Sequence, residues 1–129
     1  MNKQVFLIDD DDIFNFVHRR IIERELKDVS VSVYNVAREA LAVLESAAAQ
    51  SKPLPQFIFL DLNMPGFNGW DFMEVFTQRA YSAKIFILTS SIDPEDRDEA
   101  TFSVNISGFY SKPLLPEMLK EAFLKTAVR

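Results

Sequence analysis

Three short apolar runs in this chain share one design: each is unbroken and closed by a polar residue. Val5-Phe6-Leu7-Ile8 runs into Asp9, Phe57-Ile58-Phe59-Leu60 into Asp61, and Ile85-Phe86-Ile87-Leu88 into Thr89. Continuous hydrophobicity over so short a length, rich in Ile, Val and Phe, fits strands covered on both faces in a parallel sheet. Val29-Ser30-Val31-Ser32-Val33-Tyr34 alternates with period two instead, as an edge strand with one better-buried face does. Ile106-Ser107-Gly108-Phe109-Tyr110 predicts a weaker fifth strand at the other edge.

Helical patterns fill the gaps. Asp12 is the predicted N-cap of a helix whose apolar positions Ile13, Val17 and Ile21, with Phe14 and Ile22 beside them, recur at helical spacing. Residues 36–50 are rich in Ala, Leu and Glu, all strong helix formers, and residues 70–79 follow Asn68-Gly69 as a third helix. Asp93-Pro94-Glu95-Asp96 reads as cap, first-turn proline and acidic first turn of a fourth. A fifth starts near Pro116, where Leu115 offers no capping oxygen, a start weaker by about 1 kcal/mol than one capped by Ser or Thr. Strand and helix thus alternate five times, which predicts an α/β fold: an open parallel sheet with helices on both faces and right-handed crossovers. The Ser51-Lys52-Pro53-Leu54-Pro55 loop is predicted to lie at the sheet end away from Asp9 and Asp61. With no repeat and no linker, residues 1–129 predict one domain, and a chain that stops after its fifth helix predicts no output domain.

Composition narrows the function classes. A chain of 129 residues buries roughly two-thirds of its unfolded surface in one core. The net charge of -5 argues against a nucleic-acid partner, because phosphate contacts need clustered Lys and Arg. Without cysteine there is no disulfide or thiolate metal site, and a single histidine, His18, excludes a multi-His zinc site. No apolar run reaches membrane-spanning length and none resembles a signal-peptide core, so a cytoplasmic location with no membrane partner is expected.

The polar residues that close the strands carry the candidate chemistry. In open α/β sheets ligands bind beyond the carboxyl ends of the strands, where strand order reverses. Asp9 and Asp10 follow the first strand, Asp61 the third, Thr89 the fourth, and Lys112 comes shortly after the fifth. Singly, each has an ordinary reading: strand-end aspartates form turns or cap helices, as Asp11 and Asp12 do here, and a lone lysine is a solvated surface residue. If the first and third strands are neighbours, three carboxylates converge and repel one another unless cations compensate them. A hard divalent ion such as Mg²⁺ together with the Lys112 ammonium would balance that charge. A carboxylate nucleophile, a metal, a hydroxyl and a cation are the parts that in-line phosphoryl transfer uses.

Over its whole length the chain resembles the receiver domains of bacterial response regulators, the CheY-like fold. The stretches that carry the resemblance are Val5-Phe6-Leu7-Ile8-Asp9-Asp10, Phe59-Leu60-Asp61-Leu62-Asn63-Met64-Pro65 with Gly69, Thr89-Ser90-Ser91, and Lys112-Pro113. It implies a doubly wound five-stranded sheet in the order 2-1-3-4-5, flanked by five helices. It implies that Asp61 accepts a phosphoryl group from a phosphohistidine of a sensor histidine kinase or histidine phosphotransfer protein. Asp10 and Asp61 would bind Mg²⁺ directly, Asp9 through water, and the Asn63 backbone carbonyl would be a further ligand. Thr89 and Lys112 would each contact a phosphoryl oxygen, and the Lys112-Pro113 bond would be cis.

By the same resemblance Thr89 couples to Phe109 as a switch, and a downstream protein target docks on the fourth helix, fifth strand and fifth helix. Phe109 lacks the hydroxyl many relatives carry, so any switching rests on packing; the alternative is an ordinary rim aromatic. Asn63 and Ser91 occupy positions that govern how water reaches the phosphoryl group. Trp70 reads as packing, and His18 as an amphipathic surface residue rather than a phosphohistidine. Two other functions stay open. One is an unphosphorylated interaction module on the same fold. The other is a Mg²⁺-dependent aspartyl phosphatase of the haloacid-dehalogenase type, which needs a second acid two residues past its nucleophile, where this chain has Asn63. A nucleotide or flavin binder lacks support, since Gly66, Gly69 and Gly108 form no phosphate-cradling loop after the first strand.

Overall fold

A computed structural model describes residues 3–90 and 106–127, with side chains as far as Phe123. The strands are β1 (Lys3–Ile8), β2 (Val29–Tyr34), β3 (Phe57–Leu60), β4 (Lys84–Thr89) and β5 (Ile106–Ser111). They form one sheet in the order β2-β1-β3-β4-β5, every pair parallel. The helices among the described residues are α1 (Asp12–Glu25), α2 (Ala37–Ala49), α3 (Gly69–Gln78) and α4 (Pro116–Ala127). The last is the predicted fifth helix. The predicted fourth, with Ser91, lies outside the described residues.

The unbroken apolar runs behave as strands covered on both sides. Phe6, Ile8, Ile58, Leu60, Ile85 and Ile87 pack into one layer with Leu41 and Leu44 of α2 and Phe72 and Phe76 of α3. Their neighbours Val5, Leu7, Phe57, Phe59, Phe86 and Leu88 point the other way, into a layer with Ile22 of α1 and Leu119 and Ala122 of α4. A fully buried Leu, Ile or Phe contributes about 1.5–3 kcal/mol, so both layers are needed to hold the sheet. At the β2 edge the alternation works as predicted, with Val29, Val31 and Val33 on one face and Tyr34 on the other. At the β5 edge the register slips between Ile85 and Phe86, pairing Ile85 with Ile106 and Phe86 with Gly108. A Cβ on Gly108 would stand 2.9 Å from both Phe86 Cδ1 and Tyr110 Cε2, so a side chain there would force those rings to shift.

Helix α1 corrects two sequence expectations. Its N-cap is Asp11, not Asp12: the Asp11 carboxylate accepts from the Ile13 and Phe14 N–H groups at 2.9 and 3.1 Å, and Asp12 opens the first turn. Its buried positions are Asn15, His18 and Ile22, not the Ile13–Val17 stripe. Ile13 is 76% exposed and Phe16 64%, whereas His18 is fully buried and is not a surface histidine. Apolar spacing misplaced this face because two of the inward side chains are polar and are held by hydrogen bonds.

Helix α3 begins with a capping box. The Asp71 N–H donates to Asn68 Oδ1 at 3.0 Å, and the Asn68 N–H donates back to Asp71 Oδ2 at 2.9 Å. Behind it, Gly69 crosses the end of β3 so closely that a Cβ would stand 2.5 Å from the Asp61 carbonyl oxygen. The Ser51–Pro55 segment leads into the other end of the sheet, where the Gln56 N–H donates to the Gln4 carbonyl at 3.0 Å.

Candidate functional site

The sheet order sets β1 beside β3, and the residues that follow them meet. The Asp61 N–H donates to the Ile8 carbonyl and the Asp9 N–H to the Tyr34 carbonyl, both at 3.0 Å, so each aspartate extends its strand pairing by one residue. Carboxylate oxygens of Asp9, Asp10 and Asp61 then lie within 4.8 Å of one another. Asp9 and Asp61 are buried at 2% and 4% exposure, whereas Asp10 faces solvent.

Lys112, immediately after β5, enters this cluster with a side chain only 3% exposed. Its ammonium pairs with Asp61 Oδ2 at 3.1 Å and also with Asp9 Oδ2. The other oxygens are occupied by backbone donors: Asp61 Oδ1 accepts from the Asn63 N–H at 3.1 Å and Asp9 Oδ1 from the Asp11 N–H at 2.9 Å. Thr89, 1% exposed at the end of β4, accepts from the Asn63 side-chain amide at 3.0 Å through its hydroxyl oxygen. Its carbonyl takes the Lys112 N–H at 2.9 Å. The turn beyond contains a cis Lys112-Pro113 bond, as the resemblance implied.

Electrostatics follow from burial in so crowded a space. The Asp9 carboxyl is pushed up to about 6, first by burial, with the Asp61 charge adding; hydrogen bonds from Lys112 and the Asp11 N–H and the Lys112 charge pull against it. Burial pulls the Lys112 ammonium down, but hydrogen bonds to Asp9 and Asp61 and their charges outweigh it and hold its pKa above the usual lysine value. Among the described residues, three acids thus face one ammonium. An all-oxygen donor set with surplus negative charge suits a hard divalent cation, and such an ion would compete with Lys112 for Asp9 and Asp61.

Among the described residues, every site residue expected from the sequence falls at this end of the sheet, apart from Phe109. That residue is half-buried in the α2–α3 layer, opposite Ile87 in the register, while Tyr110 turns to the other layer. Thr89 shares the face of Ile87 by strand alternation, so Thr89 and Phe109 lie on the same side of the sheet. Trp70 packs against that layer, as expected.

Sequence reading missed what α1 contributes. Asn15, buried, donates from its side-chain amide to the Asp9 carbonyl at 2.7 Å. His18 Nε2 accepts from the Leu114 N–H at 3.0 Å, and the Phe14 ring lies 4.7 Å from the Lys112 ammonium. Phasing the helix from Asp11 rather than from its apolar residues would have put Asn15 and His18 on the inner face.

Comparison with known proteins settles the family. The response regulator receiver domain profile matches residues 5–124. The chain belongs to the response regulator receiver family. A two-component response regulator from Cytophaga hutchinsonii has the same fold at a TM-score of 0.89 and 32% identity, over 99% of this chain and 98% of that one. A two-component response regulator from Legionella pneumophila superposes at 0.81 with 22% identity over 99% and 100% of the two chains, a likeness of fold alone. The protein from Arabidopsis thaliana that carries the name two-component response regulator ARR13 is 25% identical over 120 residues. That match takes in 92% of this receiver chain but only 20% of the plant protein, so the chain spans about a fifth of that relative's length.

Proposed function

We propose that this receiver domain is a phosphorylation-controlled switch in which Asp61 accepts a phosphoryl group from a phosphohistidine on a sensor histidine kinase or histidine phosphotransfer protein. The observation that carries the reading is the shared ammonium: Lys112 bridges Asp9 and Asp61 in the buried part of a cluster whose third acid, Asp10, is open to solvent. Asp10 and Asp61, the Asn63 carbonyl, and Asp9 through water would hold Mg²⁺. When bound, the ion neutralises charge on the phosphoryl oxygens and the attacking carboxylate.

The chain's own groups divide the remaining work. An Asp61 carboxylate oxygen forms a bond to phosphorus as the phosphorus–nitrogen bond of the donor breaks. The donor imidazole leaves with the electron pair and takes up a proton. Lys112 shifts from carboxylate to phosphoryl oxygen, and the Thr89 hydroxyl turns from its contact with Asn63 to donate to another. Asn63 can donate a hydrogen bond but cannot protonate a leaving group, which favours a stable acyl phosphate over phosphatase turnover. Phe109, on the same side of the sheet as Thr89, would follow the hydroxyl by packing. Output would pass to a protein target through the surface that includes β5 and α4. A cytoplasmic place of action accords with the finding that no helix among the described residues is long and apolar enough to cross a membrane.

Incubation with Mg²⁺ and a small phosphoramidate, read by intact mass, should add one phosphoryl group to the wild type and none to Asp61→Asn. A wild-type chain that stays unmodified would leave the unphosphorylated interaction module as the better reading. Multiple turnover of a phosphomonoester would favour the phosphatase.

A further inference from the structure

We propose that His18 is a positioning residue for Lys112: by accepting the Leu114 N–H it pins the turn after β5 and so holds the ammonium against Asp9 and Asp61. The proposal rests on the phosphoacceptor reading above for its consequence, but its geometry is independent of that reading. The Lys112-Pro113-Leu114 turn is fastened at two points. The Lys112 N–H donates to the Thr89 carbonyl at 2.9 Å. Pro113 has no N–H, so the next donor along the chain is Leu114, and its hydrogen goes to His18 Nε2 at 3.0 Å, ninety-six residues away in sequence. A second path joins the same residues. The His18 imidazole stacks on Phe14 with ring centres 5.4 Å apart and planes 18° apart, and Phe14 in turn lies 4.7 Å from the Lys112 ammonium.

Packing alone does not account for an imidazole here. Because Nε2 accepts, the ring hydrogen sits on Nδ1, and that atom is buried without a hydrogen-bond partner among the described residues. A buried donor left unpaired costs about 1–3 kcal/mol, comparable to what is saved by satisfying the Leu114 N–H. A leucine of similar bulk would fill the space and roughly break even in stability. What leucine lacks is an acceptor at a fixed reach from α1, in a layer whose hydrophobic members are Val, Leu, Ile, Phe and Ala with Tyr110 and Met118. Positioning matters at this spot because the ammonium has two carboxylates to satisfy and, in transfer, a phosphoryl oxygen to meet. An error of about 1 Å in such a contact can slow a reaction a hundredfold.

The test compares the full chain with His18→Leu, which removes the acceptor, and His18→Gln, whose side-chain oxygen can reach the same N–H. The first readout is the ¹⁵N–¹H signal of the Lys112 ammonium, which does not require phosphorylation. It is expected to shift or broaden in H18L and to return in H18Q. The second is phosphorylation by a small phosphoramidate with Mg²⁺ affinity measured alongside: about tenfold slower in H18L, with Mg²⁺ affinity within about twofold of wild type, and mostly restored in H18Q. Should H18L not fold, His18→Met fills the same space without a nitrogen acceptor and carries the same expectation. An unchanged Lys112 signal in the acceptor-less variant overturns the proposal, as does an H18Q signal displaced as far as that of H18L. Equal loss of Mg²⁺ affinity and reactivity overturns it too, since that marks general damage. If the wild type itself takes up no phosphate, the phosphoacceptor reading fails while the ammonium signal still decides the role of His18.

Discussion

On one face of the sheet α2 and α3 present Ala37, Ala40, Leu41, Leu44, Phe72 and Phe76, and nothing among these buried side chains can accept or donate a hydrogen bond. On the other face the buried stripe of α1 is Asn15, His18 and Ile22. The first layer stabilises the sheet by apolar burial. In the second, two of three inward positions are spent on hydrogen bonds to the Asp9 carbonyl and the Leu114 N–H, one on each side of the Asp9–Lys112 pair. The difference teaches that both layers hold the sheet together, but that α1 alone of these three helices also spends inward positions on holding the site in shape. Substitutions in the two layers should therefore fail in different ways.

The largest effect is expected where the site's charges meet. Lys112→Ala leaves Asp9 and Asp61 buried without their cation, which should cost about 3–5 kcal/mol without Mg²⁺ and slow phosphorylation by about 10²–10³. Mg²⁺ affinity should rise, because the ammonium competes for the same oxygens, and adding the ion should raise the melting temperature more in the variant than in the wild type. Calorimetric Mg²⁺ titration measures this directly; weaker binding in the variant would mean that Lys112 assembles the metal site rather than competing with it. In the apolar layer Phe72→Ala, at a fully buried position, should also cost about 3–5 kcal/mol by urea unfolding. Phosphorylation of the folded fraction should stay within about twofold of wild type. A large rate loss in that variant would break the separation of the two layers.

That separation also decided what could be read from the sequence. The three apolar runs ending in Asp9, Asp61 and Thr89 state both their strand character and their polar ends, because a strand buried on two faces has no room for polar residues until it leaves the sheet. The order of the strands, and with it the meeting of the acids with Lys112, came from resemblance and was then found. The α1 face was not legible by the same means. Hydrophobic periodicity registers burial driven by apolar area, and here it pointed to Ile13 and Val17, which are exposed. Asn15 and His18 are inside for their hydrogen bonds, and a count of apolar positions is silent about those. The Asp11 cap, one residue before the expected Asp12, was the local signal that fixes the phase.

A pH series sharpens the contrast further. Burial, reinforced by the Lys112 charge and opposed by that of Asp11, pushes the His18 imidazole down to about 4 from an ordinary 6.5. Between those values the unfolded chain binds the extra proton, so the stability contributed by the neutral ring is complete above about 6.5 and is lost as pH falls toward about 4. Asp9 acts in the opposite sense. Its carboxyl, raised to about 6, keeps its proton in the folded chain, so its contribution is complete below the ordinary 3.8 and is lost as pH rises through 6. The two slopes overlap and offset each other in the wild type, so the informative quantity is the wild-type stability minus that of H18L. From about pH 7 to about pH 4 that difference should move against the wild type by on the order of 3 kcal/mol. A difference that is flat with pH would mean that the buried ring is not held neutral.

The smallest effect should come from the cap of α3, which sits at the site's end of the sheet but belongs to the apolar layer. Asn68→Ala removes the acceptor of the Asp71 N–H and breaks the reciprocal box, for a loss of about 1 kcal/mol in urea unfolding. Because the Gly69 N–H still donates to the Leu62 carbonyl at 3.2 Å and the close passage of Gly69 over the Asp61 carbonyl is unaltered, Asp61, the proposed phosphoacceptor, should keep its place. Phosphorylation should then be unchanged within about twofold, in contrast to the acceptor-less His18 variants, which alter little in stability at neutral pH but much in rate. If Asn68→Ala slows the reaction as strongly as H18L does, proximity to the site rather than layer membership decides which residues hold Asp61 and Lys112, and the division of labour between the two faces fails.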